Sequence, residues 1–158
     1  FDQILSVQQI WLLFSDRRYE VFLFDPFRMI VDIGRANRNI YFWGGALNIP
    51  QVVGGVFFFD HVEAQAILVV AILGLIVAGQ IHKKAAFSRM IGMCHLPWLL
   101  LLPWLIYRQA NIEYPFWLEA WLYYSSATIA ASLIFDAMDF YRYSKGQKTF
   151  AWAEDKSE

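Results

Sequence analysis

Four long apolar stretches occupy most of the chain, and they constrain its fold more than any other feature. Each contains 18 to 20 residues, close to the ~20 residues that a helix needs to cross the hydrocarbon core of a membrane. Hydrophobic periodicity inside them is weak, as expected where lipid replaces water on the outward face. The stretches are Ile40–Phe59, Val62–Ile81, Met90–Tyr107 and Phe116–Phe135.

The basic residues are distributed asymmetrically about these stretches. Of the 13 Lys and Arg residues, all but Arg108 lie before the first stretch, between the second and third, or after the fourth. Positive charge is retained on the cytoplasmic side of a membrane during insertion. The pattern therefore predicts an integral membrane protein that crosses four times, with both termini in the cytoplasm.

The predicted fold class is all-α, a four-helix transmembrane bundle with an amphipathic N-terminal segment at the interface. Residues 1–38 form that segment, 39–146 the bundle, and 147–158 a polar C-terminal tail. Charged residues make up 17% of the chain, below the roughly 25% of a soluble domain. A net charge of −1 argues against nucleic acid as a partner. The expected partners are the lipid bilayer and other membrane subunits or a second copy of the chain.

The sequence leaves two structures open for the first 38 residues. Apolar residues recurring at helical spacing favour an amphipathic helix that lies in the membrane interface. The alternative is a hairpin that pairs residues 10–14 with residues 19–24. Asp25-Pro26 then predicts the start of a further helix. The apolar residues of the first interpretation are Ile4, Val7, Trp11 and Phe14.

The first stretch carries an unusual number of polar and helix-bending residues. Pro50 lacks an N–H group and is expected to kink the helix near mid-membrane. Asn48 and Gln51 lie close to the same depth, so we expect them to face other helices and not lipid. Beyond the stretch, Asp60 and Glu63 have the spacing of a capping box for the second span.

An outer cluster of ionisable residues is predicted from Asp60, His61, Glu63 and Glu119. Two carboxylates and an imidazole suit a divalent cation or a shared proton. The alternative assigns the cluster no chemistry: Asp60 and Glu63 cap a helix, His61 faces water, and Glu119 bonds to a neighbour. We favour the alternative and predict no metal site.

An inner cluster is predicted from His82, His95, Asp136 and Asp139. His95 lies about two turns into the third stretch and Asp136 follows the fourth on the same side, so they form a carboxylate–imidazole pair if the third and fourth spans touch. Such a pair is able to relay a proton. In the alternative, His95 donates to a carbonyl freed by Pro97 or Pro103. The two aspartates then pair with Arg89, Lys83 and Arg142. We favour this alternative.

Several chemistries are excluded by what the sequence lacks. The single cysteine, Cys94, rules out an internal disulfide or a CxxC redox pair. Phosphate-binding loops, nucleophile elbows and HExxH helices are absent. No cofactor and no catalytic residue are predicted. A bound lipid or quinone-like molecule is compatible with a cavity between the first and third spans, with Asn48, Gln51 and His95 as its polar contacts.

Three short motifs carry a resemblance to a known group of proteins. They are DHVEAQ at 60–65, HLPW at 95–98 with LPW at 102–104, and IFDAMD at 134–139 followed by YRY at 141–143. Over about residues 40–146 the chain resembles small uncharacterised four-span proteins of the bacterial inner membrane. The resemblance implies the topology and the membrane, and it implies no chemistry.

Three functional hypotheses remain. The favoured one is a non-catalytic accessory or assembly subunit of a larger membrane complex, because it requires the fewest sites. The second is a membrane protein that binds a lipid or small molecule in the cavity described above. The third is a small proton- or cation-coupled transporter that uses Glu63 and Glu119 outside with His95 and Asp136 inside.

Overall fold

The structure is a computed structural model that describes residues 24–154, where every regular element is a helix. It confirms the predicted all-α class for this part of the chain. The alternatives for residues 4–14 lie outside the described residues. The elements are α1 (Asp25–Ala36), α2 (Arg38–Phe57), α3 (Val62–Lys84), a 3-10 helix (Arg89–His95), α4 (Trp98–Asn111), α5 (Phe116–Ser144) and α6 (Ala151–Glu154).

Helix α1 begins at the predicted Asp25-Pro26 and lies against the C-terminal end of α3. The Asp25 carboxylate is buried, and its Oδ2 accepts hydrogen bonds from Gln80 at 2.8 Å and Lys83 at 3.5 Å. A Cβ on Gly79 would lie only 2.6 Å from the backbone nitrogen of Pro26. The absence of a side chain at Gly79 therefore allows the two helices to approach closely.

Helix α3 is the centre of the bundle. It packs against α1, α2, the 3-10 helix and α4, while α5 packs against α2, α4 and the 3-10 helix. The main apolar core lies between α3, α4 and α5, and many other large apolar side chains point outward. The buried residues of this core are Ile67, Trp98, Leu105, Leu118, Leu122 and Ile129.

The third apolar stretch is broken into two helices, whereas the sequence predicted one span. The 3-10 helix ends at His95, and α4 begins at Trp98 with its axis turned by 42°. Pro97 lies at the break, where it lacks the N–H group that a continuous α-helix requires. The same proline is favourable just before the first residue of α4.

The C-terminal residues fold back onto residues 85–88, the loop between α3 and the 3-10 helix, which is the inner loop of the predicted topology. Helix α5 ends at Ser144, and Gly146 has a positive φ of 93° that suits glycine at this turn. The amide of Arg89 donates to the carbonyl of Lys148 at 3.0 Å, and the amide of Phe150 donates to that of Phe87 at 3.1 Å. The predicted polar tail is thus attached to the bundle at least as far as Phe150.

One helix within residues 24–154, α3, is by itself long and apolar enough to cross a membrane. The 3-10 helix and α4 together meet the same criterion as one bent segment. Helices α2 and α5 have the required length, but neither is apolar enough to meet this criterion. Length and composition alone therefore identify up to two of the four predicted spans.

Candidate functional site

The inner cluster contains a direct contact between a histidine and a carboxylate. His95 Nδ1 lies 2.7 Å from Asp136 Oδ2, which joins the end of the 3-10 helix to α5. A Cβ on Gly92 would lie 2.6 Å from Asp136 Oδ1, so glycine provides the room for this carboxylate. The favoured prediction, a bond from His95 to a proline-freed carbonyl, is therefore wrong, and the alternative pairing of His95 with Asp136 is found instead.

Asp139 forms a second ion pair one turn further along α5. It accepts a hydrogen bond from Arg89 Nη1, and the Arg89 guanidinium also lies over the ring of Phe150 at 5.0 Å. Arg89 is buried, and its Nε atom has no hydrogen-bond partner among the described residues. The docked C-terminal segment therefore covers a buried cation that one carboxylate neutralises.

His82 belongs to a different contact from His95. Its Nε2 lies 3.3 Å from Asp32 Oδ2, and its Nδ1 accepts from the backbone N–H of Phe87 at 3.5 Å. The imidazole thereby links α1, α3 and the inner loop. The four predicted members of the inner cluster are separated into three pairs, and only His95 and Asp136 contact each other.

The outer cluster differs from the prediction. Glu63 is buried, and its Oε1 accepts from Arg108 Nε at 2.6 Å, Arg108 Nη2 at 2.5 Å and the Tyr114 hydroxyl at 2.7 Å. The predicted capping box is wrong, because His61 is the residue that precedes α3 and it makes no side-chain cap. The Glu63 side chain instead contacts Arg108 near the end of α4 and Tyr114 in the outer loop, residues 112–115.

Glu119 lies apart from this contact. With residues 109–114 it lines a polar cleft of about 530 Å³ at the outer loop. Neither Asp60 nor His61 lines that cleft. Within residues 24–154, no group of three or more His, Cys, Asp or Glu side chains is placed to hold a metal ion.

The surroundings of Tyr114 raise the pKa of its hydroxyl. Burial raises the pKa of its hydroxyl above the ordinary value of 10.0, and the hydrogen bond to the Glu63 carboxylate raises that pKa further. The nearby Arg108 guanidinium acts in the opposite direction, as a cation favours the phenolate. The phenol is therefore held as a neutral donor to the carboxylate.

Asn48 and Gln51 do not converge on a common cavity with His95. Gln51 is buried, and its Nε2 donates to Thr128 Oγ1 of α5 at 2.9 Å. Asn48 is exposed on α2, and its Nδ2 donates to the carbonyl of Gly44 at 2.8 Å. The expectation that both residues face other helices of the chain holds for Gln51 and is wrong for Asn48.

Arg108, Tyr114 and Thr128 are contact residues that the sequence prediction missed. Arg108 carried a signal, because it is the single basic residue on the predicted outer side and requires an anion there. Tyr114 and Thr128 carried no such signal, because they lie 51 and 77 positions from their partners.

Comparisons with protein-family models, with curated proteins and with solved structures found no match. The proposed function therefore depends on the contacts within residues 24–154.

Proposed function

We propose that the chain is an integral protein of the bacterial inner membrane, with four spans and both termini in the cytoplasm. The spans are α2, α3, the 3-10 helix together with α4, and α5. The unequal distribution of Lys and Arg supports this orientation. Arg108 on the opposite side is neutralised by its contact with buried Glu63.

The distribution of exposed apolar side chains supports the same proposal. All four proposed spans expose large apolar residues, which a soluble bundle would bury, and contiguous apolar surface of this kind requires a nonaqueous neighbour. Representative exposed residues are Val53 and Phe57 on α2, Val69 and Leu73 on α3, Leu100 and Ile106 on α4, and Ile134 and Phe135 on α5.

Cysteine accessibility tests the orientation. In a Cys94→Ala background, a cysteine at Asn111, the last residue of α4, is expected to react with an impermeant maleimide that is added to spheroplasts. A cysteine at Lys145, on the proposed cytoplasmic side, is expected to react only after the membrane is opened. Both positions are exposed, so equal labelling of the two before opening contradicts the proposal.

Within that membrane protein, the function that the geometry supports best is a non-catalytic accessory or assembly subunit. The carrying observation is that the ionisable groups of the interior are paired with one another: Glu63 with Arg108, Asp139 with Arg89, and Asp136 with His95. Groups that are neutralised in this way stabilise a particular packing. The described cleft lies at the outer loop and not between the spans.

Purification in a mild detergent tests the accessory role. The tagged chain is expected to recover a membrane protein in fixed proportion, and the ratio is expected to survive a second purification through the recovered partner. A Cys94→Ala variant is a suitable control because the substitution is small and buried. Recovery of this chain alone, from cells grown under several conditions, contradicts the role.

The contact between His95 and Asp136 favours one second candidate, a proton-coupled transporter. The imidazole is 30% exposed and the carboxylate 14% exposed, so the pair is partly accessible although both residues lie within proposed spans. Proton flux into liposomes is expected to fall on Asp136→Asn but not on Asp32→Asn, which removes the carboxylate beside His82. Flux that is equal for both variants and the unaltered chain excludes this candidate.

A further inference from the structure

Asn48 is the one exposed non-aromatic polar side chain in the four apolar stretches, all of which the structure describes. The other such side chains in these stretches are buried or partly buried, and several of them bond to a neighbouring helix. Asn48 lies near the middle of α2, about 15 Å from either end at the rise of an α-helix. In the proposed orientation, its carboxamide thus faces the centre of the hydrocarbon core.

The Asn48 carboxamide has unused bonding capacity at that depth. One of its two N–H groups bonds to the carbonyl of Gly44 in its own helix. Its second N–H group and its Oδ1 acceptor make no hydrogen bond within residues 24–154. Lipid chains offer neither donor nor acceptor, and a polar group left unsatisfied there is costly.

The helix surface around Asn48 is shaped for close approach by another helix. Gly44 lies one turn away, and a Cβ placed on it would meet nothing within 4 Å. Val52 lies one turn in the other direction and is also exposed. The glycine allows a second helix to approach closely, and the membrane-facing carboxamide is then able to form an interhelical hydrogen bond.

We propose that this face of α2, formed by Gly44, Asn48 and Val52, binds the same face of a second copy of the chain. We expect the partner to be a second copy because the carboxamide offers both a hydrogen-bond donor and an acceptor. Two such groups related by a twofold axis satisfy each other with two hydrogen bonds. The proposal relies on the membrane location proposed above and is independent of the accessory role.

Association is measured with the full chain in liposomes, by energy transfer between differently labelled copies. Asn48→Leu removes both interhelical hydrogen bonds and is expected to weaken the dimer about tenfold. Asn48→Gln keeps the carboxamide and is expected to retain most of the association. Gly44→Leu adds a side chain at a position with no neighbour in its own chain, so it is expected to weaken the dimer without unfolding the protomer. A monomeric unaltered chain, or equal dimerisation of Asn48→Leu, overturns the proposal.

Cross-linking locates the interface. In a Cys94→Ala background, a cysteine at Val52 is expected to join two copies carrying different tags, and Asn48→Leu is expected to reduce the yield. A cysteine at Val69, which is exposed on α3, is the matched control and is expected to give no such product. Cross-linking of Val52 to a different protein alone overturns the second-copy proposal while supporting the accessory role. Equal self-cross-linking at both positions also overturns the proposal.

Discussion

The hydroxyl of Tyr124 donates a hydrogen bond to the backbone carbonyl of Ala46 at 2.5 Å. In an uninterrupted α-helix, that carbonyl would accept from the N–H of residue 50, which Pro50 does not possess. A side chain of α5 therefore satisfies the acceptor that the proline frees in α2. The bond links two proposed spans next to Pro50, and α2 continues through this proline from Arg38 to Phe57.

Replacing Tyr124 by Phe tests this link. The substitution leaves the carbonyl of Ala46 without its donor in an apolar environment, so we expect the free energy of unfolding to fall by about 1–2 kcal/mol. Unfolding in mixed micelles, followed by circular dichroism, measures the difference. Tyr123→Phe is the matched control, because the hydroxyl of Tyr123 makes no hydrogen bond within the described part of the chain. Equal loss in both variants contradicts the assignment.

A second contact between the same two helices depends on Gly54. The indole Nε1 of Trp121 donates to the carbonyl of Pro50 at 2.9 Å, and a Cβ on Gly54 would lie 2.0 Å from that nitrogen. Gly54→Ala is therefore expected to displace the indole and cost about 1–3 kcal/mol of stability.

Intrinsic fluorescence, with the contribution of Trp121 obtained by comparison with Trp121→Phe, and unfolding in mixed micelles measure the effect of Gly54→Ala. Gly45→Ala is the control in the same helix, because its Cβ would meet only Ile49 of α2 at 3.5 Å, an ordinary van der Waals distance. A stable Gly54→Ala variant with unchanged fluorescence would show that the indole does not depend on the glycine.

A local signal in the sequence predicted one helix boundary correctly. Asp25-Pro26 marked the start of α1, because proline restricts its backbone angle to one that suits the first turn of a helix. The contact of His95 with Asp136 was only one of two alternatives, and the sequence favoured the other. Polar groups in an apolar environment have few partners, but the sequence does not show which helices touch.

Features that depend on how helices rotate about their axes were not predictable. Asn48 and Gln51 are three residues apart, yet one is exposed and the other bonds to α5. Weak periodicity in apolar stretches leaves such rotations undetermined. The docking of Phe150 on the inner loop was also missed, because polar composition alone does not reveal backbone pairing across a long separation.

The hydroxyl of Tyr114 predicts how stability varies with pH. Its folded-state pKa lies above the ordinary value of 10.0, so the folded state holds this proton more tightly than the unfolded state. The resulting stability is present in full below the unfolded pKa and decreases as pH rises through the folded pKa. We therefore expect the free energy of unfolding of the unaltered chain to fall, relative to Tyr114→Phe, as pH rises above about 10.

The cause of this pKa change is tested with Glu63→Gln. Removing the carboxylate charge weakens the hydrogen bond that favours the neutral phenol, so the pKa of Tyr114 is expected to move back toward its ordinary value. Carbon NMR of ring-labelled tyrosine measures the titration of this single residue by comparison with Tyr114→Phe. A pKa that is unchanged in Glu63→Gln would assign the whole effect to burial.

The contact of His95 with Asp136 is tested by a double-mutant cycle on stability. His95→Ala and Asp136→Asn remove the two ends of one short hydrogen bond, so their effects are expected to be non-additive by about 1–2 kcal/mol. His95→Ala with Asp139→Asn is the control cycle, since Asp139 lies one turn away and bonds to Arg89. Its coupling is expected to be below about 0.5 kcal/mol. If the two cycles give equal couplings, the aspartates act on His95 through general charge and not through the 2.7 Å contact.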